Sequence, residues 1–294
     1  MQLDFAKLNG AGNDFIMVDD LADEINLTPS QVEEICDRHF GVGGDGVILV
    51  KPSPRPECAA YMDYYNSDGT KAQMCGNGVR CFAKFLVDRK IVDSTAGSFV
   101  ADTLAGPRPI SFELDENGLL KTATVNMGEP ILEPAQVPTK LAANSESGAA
   151  LMQPVSVLAG SYDFTTVSMG NPHAITFVDN PLTFPLEVVG PQIECAPEFP
   201  EKTNVEFASV DAAANVITMR VWERGCGETL ACGTGACATA VAAMLNGKVS
   251  SREVDLKLLG GTLHIKWDKG DNHVYMTGPA AQYFTGVLTV SDAE

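Results

Sequence analysis

The 294-residue chain is short of basic residues: 20 Lys and Arg stand against 38 Asp and Glu, a formal net charge of −18. Gripping a phosphate backbone requires a basic footprint, so no nucleic-acid partner is expected. The chain also lacks any apolar run near the ~18 residues that cross a bilayer. Its opening, Met1-Gln2-Leu3-Asp4-Phe5-Ala6-Lys7, has no basic end followed by an apolar stretch, so neither an export signal nor a membrane partner is expected. The four histidines are dispersed and the cysteines form no CxxC pair, which argues against a metal site. Eight cysteines without an export signal read as reduced thiols of a cytoplasmic protein. What remains, 45% hydrophobic and 20% charged, is the composition of a folded globular chain with room for two domains.

Within that ordinary composition one device occurs twice. Met74-Cys75-Gly76-Asn77-Gly78 and Ala231-Cys232-Gly233-Thr234-Gly235 each set a thiol directly before Gly-x-Gly. Upstream, Gly12-Asn13-Asp14-Phe15-Ile16-Met17-Val18-Asp19 is echoed by Gly170-Asn171-Pro172-His173-Ala174-Ile175-Thr176-Phe177-Val178-Asp179. Asn13 precedes Cys75 by nearly the same distance as Asn171 precedes Cys232, so a half-chain is repeated. Nine positions before the thiols stand Asn66 and Glu223. Two related lobes, each with a cysteine at a helix start, suit a reaction with a base on one face of a carbon and an acid on the other.

Short strand candidates dominate, at 47–50, 61–65, 110–114, 122–125, 174–178, 205–210, 217–222, 263–267 and 284–290, many bounded by turn residues. A helix is expected over 29–39, with Thr28 as N-cap and Pro29 in the first turn. The other two clear helices follow the paired cysteines. After Cys75, Val79, Phe82, Ala83 and Leu86 recur at helical spacing, with Arg80, Lys84 and Asp88 on other faces. The stretch 236–245 is apolar nearly all round and must be enclosed on every side. Strand and helix do not alternate, so the expected class is α+β: two pseudo-symmetric lobes, each a mixed sheet or barrel wrapped around a central helix. Pro130, Pro134, Pro138 and the small, polar run 142–150 read as a connector. The expected division is 1–125 plus 278–294, carrying Cys75, and 126–277, carrying Cys232.

Thiolate is the reactive form of cysteine, and a helix N-terminus favours it through unpaired N–H groups and the dipole. Gly-x-Gly lets a ligand approach the backbone and leaves amides free for an anion. Two such ends would hold one carboxylate and place a sulfur on either side of its α-carbon, inverting that centre by proton removal and return. Taken singly, each Cys-Gly-x-Gly reads as a core residue beside a tight turn; the copy in register makes the catalytic reading the stronger. Asn66-Ser67-Asp68-Gly69 reads locally as a turn and Asn171-Pro172-His173 as a turn before a strand.

Two glycine patterns mislead. Gly41-Val42-Gly43-Gly44-Asp45-Gly46 fits G-x-G-x-x-G but follows a helix and precedes a strand, the reverse of a dinucleotide fingerprint. Gly233-Thr234-Gly235-Ala236-Cys237-Ala238 fits the looser form, yet that reading gives the thiol and its twin no role.

The segments Gly10-Ala11-Gly12-Asn13-Asp14-Phe15, Tyr65-Asn66-Ser67-Asp68-Gly69, 74–81, Asn126-Met127-Gly128-Glu129-Pro130, 168–173, Lys202-Thr203-Asn204-Val205-Glu206-Phe207, 220–238 and Met276-Thr277-Gly278-Pro279 span nearly the whole chain. In them the sequence resembles the diaminopimelate epimerases. The resemblance implies interconversion of LL- and meso-2,6-diaminopimelate, for lysine and peptidoglycan synthesis, without pyridoxal phosphate or metal, in a homodimer. It makes Cys75 and Cys232 the acid/base pair, tuned by His173 and Glu223. It gives substrate contacts to Asn13, Asn66, Asn171, Asn204, Glu223 and the backbone around Gly76, Asn77, Gly233 and Thr234. Arg224 would hold the distal carboxylate. Two departures stand out: Asn9 replaces a frequent His, and Gly46 stands where some members place a side-chain substrate contact.

Two other readings compete. A proline or hydroxyproline racemase would share the two-thiol logic, but a monocarboxylate has no use for Arg224. A binding or redox module would merely close its thiols as a disulfide.

Overall fold

Runs of β-branched and aromatic residues between turn residues become strands throughout the computed structural model, which describes residues 1–72 and 75–291. Met74, which opens the first Cys-Gly-x-Gly segment, lies outside the described residues. The chain divides into two compact units, Met1–Asn126 with Thr277–Glu294, and Met127–Met276.

The first unit runs β1 (Gln2–Gly10), β2 (Asn13–Asp19), α1 (Pro29–Cys36), β3 (Gly46–Lys51), β4 (Ala60–Asn66), α2 (Gly76–Asp88), β5 (Ser98–Thr103), β6 (Arg108–Leu114) and β7 (Leu120–Asn126). Strand β1 pairs antiparallel with β2, β2 parallel with β3, β3 antiparallel with β4, β4 parallel with β5, and β5 to β7 antiparallel. Strands β2 and β3 are buried on both faces. Ile16, Val18, Val47 and Leu49 turn toward Val32 and Ile35 of α1. Ile48 turns the other way, against Gly78 of α2. That two-sided burial is why these strands read as apolar runs without alternation.

The second unit repeats the order with β8 (Gln153–Val157), β9 (Gly160–Ser168), β10 (Pro172–Phe177), α3 (Leu186–Glu194), β11 (Asn204–Asp211), β12 (Val216–Glu223), β13 (Gly227–Thr229), α4 (Gly233–Leu245), β14 (Glu253–Leu258) and β15 (Gly261–Trp267). Strand β16 (Val274–Pro279) crosses the unit boundary, and β17 (Ala281–Thr289) returns to pair antiparallel with β1. The pairing senses match the first unit: β9–β10 antiparallel, β10–β11 parallel, β11–β12 antiparallel, β12–β14 parallel. Val205 and Phe207 pack with Leu186, Val189 and Ile193 of α3, the counterpart of α1. The α+β class of two similar lobes, each a mixed sheet around an enclosed helix, is what the chain adopts.

Three local outcomes differ from the sequence reading. Helix α1 stops at Cys36, short of 39, because Asp37 turns extended and its carboxylate takes the His39 and Phe40 amides at 2.7 Å each. Helix α3 was not among the expected helices; its Gly190 lies so close to Trp222 that a Cβ there would meet the ring at 2.7 Å. The run 142–150 is no free connector: Asn144 exchanges hydrogen bonds with Leu151, and Ala149 and Ala150 are buried in the second unit.

Helix α4 is enclosed on all sides from Ala236 to Ala243, as its apolar circumference requires. Helix α2 is enclosed too, despite its charges. Arg80 is fully buried and donates to the carbonyls of Gly76 and Pro279 and to Asn77 Oδ1, while Lys84 donates to Leu120 O and pairs with Asp88. Among the described residues no helix is long and apolar enough to cross a membrane.

Candidate active site

Each thiol sits at the N-cap of an enclosed helix, in extended backbone: Cys75 at φ −133°, ψ 118° before α2, and Cys232 at φ −119°, ψ 112° before α4. The following Gly-x-Gly forms the first turn, the part of a helix whose N–H groups lack helical acceptors and where the dipole favours an anion. Asn66 closes β4 and Glu223 closes β12, so the two polar residues upstream of the thiols hold matching strand ends. Asn13 opens β2, and Asn171 directly precedes β10.

In the first unit, Cys75 Sγ–H donates to Asn13 Oδ1 and accepts from Gly78 N–H, both at 3.5 Å. Asn77, buried, turns its Nδ2 to the same Asn13 oxygen at 3.5 Å, while its own Oδ1 accepts from Arg80 at 2.9 Å. Asn13 Nδ2 donates to Asp45 at 2.5 Å. Asp45 is fixed in turn by the Asp14 amide at 3.0 Å and by Arg38 at 2.8 Å. Arg38 also grips both oxygens of Asp14, which pairs with Lys7 at 2.7 Å. Burial alone would raise the Asp14 carboxyl, but the Arg38 and Lys7 hydrogen bonds hold it down at about 2. Asn66 is tied into its turn by Thr70, 3.1 Å from its Nδ2.

In the second unit, His173 Nδ1 lies 2.6 Å from Glu206 Oε1 and its Nε2 lies 3.1 Å from Asn171 Oδ1. Glu206 Oε1 is also 2.6 Å from where a Cβ on Gly235 would sit, and Cys232 Sγ is 3.3 Å from that same point. Only glycine fits there, because it lets carboxylate and thiol share one side of the α4 start. Cys232 is buried, with Thr234 Oγ1 at 3.5 Å. Burial, then the carboxylates of Glu223 and Glu206, push its thiol well above the ordinary value, against the opposing Thr234 and Gly235 hydrogen bonds. Burial likewise raises the Glu206 carboxyl. Asn204 spans the site floor, its Nδ2 on Pro172 O at 2.8 Å and its Oδ1 taking the Arg224 amide at 2.9 Å. Glu223 accepts from the Thr229 hydroxyl, and the exposed Arg224 side chain reaches Glu201 O at 3.2 Å.

The repeat is not symmetric in chemistry. Phe15 pairs with Gly46 across β2–β3 as His173 pairs with Asn204 across β10–β11. Counting along the strands, Ile48 holds the place of Glu206, and each lies against the third residue after its thiol: Ile48 against Gly78, Glu206 against Gly235. Ile48 therefore backs the helix start that carries Cys75 and Glu206 the one that carries Cys232, with Phe15 and His173 at matching places on the adjoining strands. By the same register Gly46 is the counterpart of Asn204. A Cβ at Gly46 would stand 2.4 Å from Tyr65 O, so this backbone admits no side chain there.

Sequence reasoning passed over Asp45, Arg80, Glu194 and Glu206. Asp45 lay inside a rejected glycine motif, and Arg80 read as one face of an amphipathic helix. Glu206 alternates along a strand like a solvent-facing residue. Glu194 takes the Trp222 indole N–H at 2.7 Å and the Gly225 amide at 3.1 Å, anchoring the turn that carries Arg224. No clue near it in sequence links it to that turn. Among the described residues no group of three or more His, Cys, Asp or Glu is gathered as a metal site would need.

The sequence profile of the family described as diaminopimelate epimerase matches residues 5–133 and 165–283. A diaminopimelate epimerase of Methanococcus maripaludis is 45% identical over 287 residues, covering 97% of this chain and 99% of that one. One from Leptospira biflexa is 43% identical over 290 residues, covering 99% and 100%. Among solved structures, a probable proline racemase from Agrobacterium radiobacter superposes with a TM-score of 0.70 at 14% identity, over 99% of this chain and 93% of that one. A phenazine biosynthesis protein from Bacillus anthracis superposes with a TM-score of 0.69 at 17% identity, over 99% and 100%. At such identities these two share the fold.

Proposed function

The chain belongs to the diaminopimelate epimerase family, and on that premise we propose that it interconverts LL- and meso-2,6-diaminopimelate with Cys75 and Cys232 as acid and base. The observation that carries this reading is the duplicated helix start: two thiols, each at the N-cap of an enclosed helix that opens with Gly-x-Gly. One thiolate removes the α-proton and becomes a thiol. The carbanion is neutralised by a proton from the other thiol, which becomes a thiolate, so the centre inverts and the two sulfurs have exchanged states. No electron leaves the substrate, and the reading requires neither pyridoxal phosphate nor metal.

The raised Cys232 thiol supports a resting state in which Cys232 carries the proton and Cys75 is the base. Backbone N–H groups at Gly76–Asn77 and Gly233–Thr234 would hold the α-carboxylate, whose charge the two helix dipoles favour. Asn13, Asn66, Asn171 and Asn204 would supply substrate hydrogen bonds, and Glu223 with Arg224 would take the distal amino-acid end. An exposed guanidinium suits a second carboxylate, which a proline-like substrate lacks. His173 and Glu223 would tune the thiols. The product would feed lysine and peptidoglycan precursor synthesis in the cytoplasm, and the net charge of −18 supports neither nucleic acid nor membrane as a partner.

We also place the enzyme in a homodimer. Strand β17 pairs with β1 and carries Tyr283 and Val287, 65% and 61% exposed. A second copy covering that strand would bury both and satisfy its outer edge. Sedimentation or light scattering at micromolar concentration should give twice the chain mass, and a monomer there would remove this part.

The central test is proton exchange. Incubated in D₂O with LL-diaminopimelate and no added cofactor, the enzyme should place deuterium at the α-carbon, and proline should take none. Cys75→Ala and Cys232→Ala should each abolish epimerisation. Full activity in either variant, or dependence on pyridoxal phosphate, would refute the mechanism.

A further inference from the structure

Asn13 presents one end of its amide to Cys75, and which end matters. A carbonyl oxygen facing the sulfur accepts from the thiol and disfavours the thiolate, whereas an amide nitrogen would do the reverse. Asn13 Nδ2 is 2.5 Å from Asp45 Oδ2, and turning the amide over would set two oxygens at that distance beside a carboxylate. The Asp45 carboxylate is itself held on both oxygens, Oδ2 by the Asp14 amide and Oδ1 by Arg38. From the opposite side Asn77, anchored through its Oδ1 by the buried Arg80, turns its Nδ2 toward Asn13 Oδ1. The amide is therefore clamped between Asp45 on one side and Asn77, held by Arg80, on the other. Cys75 Sγ has an acceptor in Asn13 Oδ1 and a donor in Gly78 N–H, both at 3.5 Å. A group that must alternate between thiol and thiolate in one place needs such a pair.

We propose that Asp45 is a positioning residue of this reaction, acting through Asn13 to keep an acceptor oxygen on Cys75 and so keep its thiolate a strong base. The proposal rests on the two-thiol reading for its consequence in catalysis. The lock itself concerns only Asp45, Asn13 and Cys75. The other charged groups around it are Asp14 on β2, Lys7 on β1, Arg38 beyond α1 and Arg80 on α2.

Iodoacetamide alkylation of Cys75, followed peptide by peptide against pH, tests the lock without using turnover. Asp45→Asn is isosteric, frees the Asn13 amide to turn its nitrogen to the sulfur, and should lower the alkylation midpoint by about one pH unit, the size of one hydrogen bond to a charged group. Loss of the Asp45 charge could also lower it directly, so the same substitution is made in Asn13→Ala, where there is no amide to turn. There the shift should vanish. An unchanged or raised midpoint in Asp45→Asn overturns the proposal, and so does an equal shift in the Asn13→Ala background. Asp45→Ala, read by the same cycle, serves if the asparagine variant folds poorly. If Cys75→Ala retained epimerisation, the two-thiol reading would fall while the alkylation cycle still decided the lock.

Discussion

His173 Nδ1 lies 2.6 Å from Glu206 Oε1 with both side chains fully buried, while the matching positions in the other half-chain are Phe15 and Ile48. A duplicated scaffold thus carries a polar pair at one set of strand positions and an apolar pair at the other, with Glu206 against the start of α4 and Ile48 against the start of α2. Under the two-thiol proposal this difference would separate the proton donor from the acceptor, because both cysteines have the same extended N-cap backbone.

Gly235 is where that polar pair meets the thiol. Gly235→Ala would drive a Cβ to 2.6 Å from Glu206 Oε1. It should cost about 1–3 kcal/mol of stability, the usual penalty for overpacking, and depress epimerisation. Shortening the opposing side chain in Gly235→Ala/Glu206→Ala should restore part of the melting temperature. If Gly235→Ala melts like the parent protein, the packing argument fails.

Asp14 predicts an acid limb of stability. Its folded-state value of about 2 lies below the ordinary 3.8, so its contribution is fully present above about pH 4 and is lost as pH falls through 2. The shift corresponds to about 2 kcal/mol. Urea titrations should find Asp14→Asn less stable than the parent by that order at pH 7, with the two curves converging near pH 2. A constant difference across that range would sink the assignment.

Gly46 should resist any attempt to restore a side-chain contact. Gly46→Gln meets Tyr65 O at 2.4 Å from its first carbon and should lower the melting temperature without lowering KM. A tighter KM with an unchanged melting profile would show that β3 relaxes more easily than its packing implies.

Glu194 anchors the turn before Arg224 through Trp222 and Gly225. Glu194→Ala frees that turn and should raise KM for diaminopimelate more than it lowers kcat, if Arg224 takes the distal end of the substrate as proposed. An unaltered KM would separate Glu194 from substrate recognition.

Much of this was legible in the chain itself, for physical reasons that act over short distances. Gly-x-Gly after each cysteine, and polar Asn66 and Glu223 nine residues before, marked two helix starts and two strand ends, because caps and turns are decided within a few residues. The apolar circumference of α4 announced its burial, and the duplicated spacing announced two similar lobes. Local reading failed where a residue's meaning lay in a partner far along the chain. Helix α3 went unread, its Gly190 accommodated only against Trp222, and Arg80 read as one polar face of a helix although Asn77 and Pro279 accept its hydrogen bonds.

Local patterns and residues repeated in order suffice for the α+β class, the paired cysteine caps and the family to which the chain belongs. Only the tertiary structure decided that Glu206 backs onto Cys232, that Asp45 holds the Asn13 amide, and that Gly46 has no room for a side chain. The hold of Asp45 on Asn13 comes from the parallel register of β2 beside β3, which brings together residues some thirty positions apart, while Gly46 meets the antiparallel neighbour β4 and Glu206 meets the start of α4. A parallel crossover leaves no local signature of which side chains it aligns.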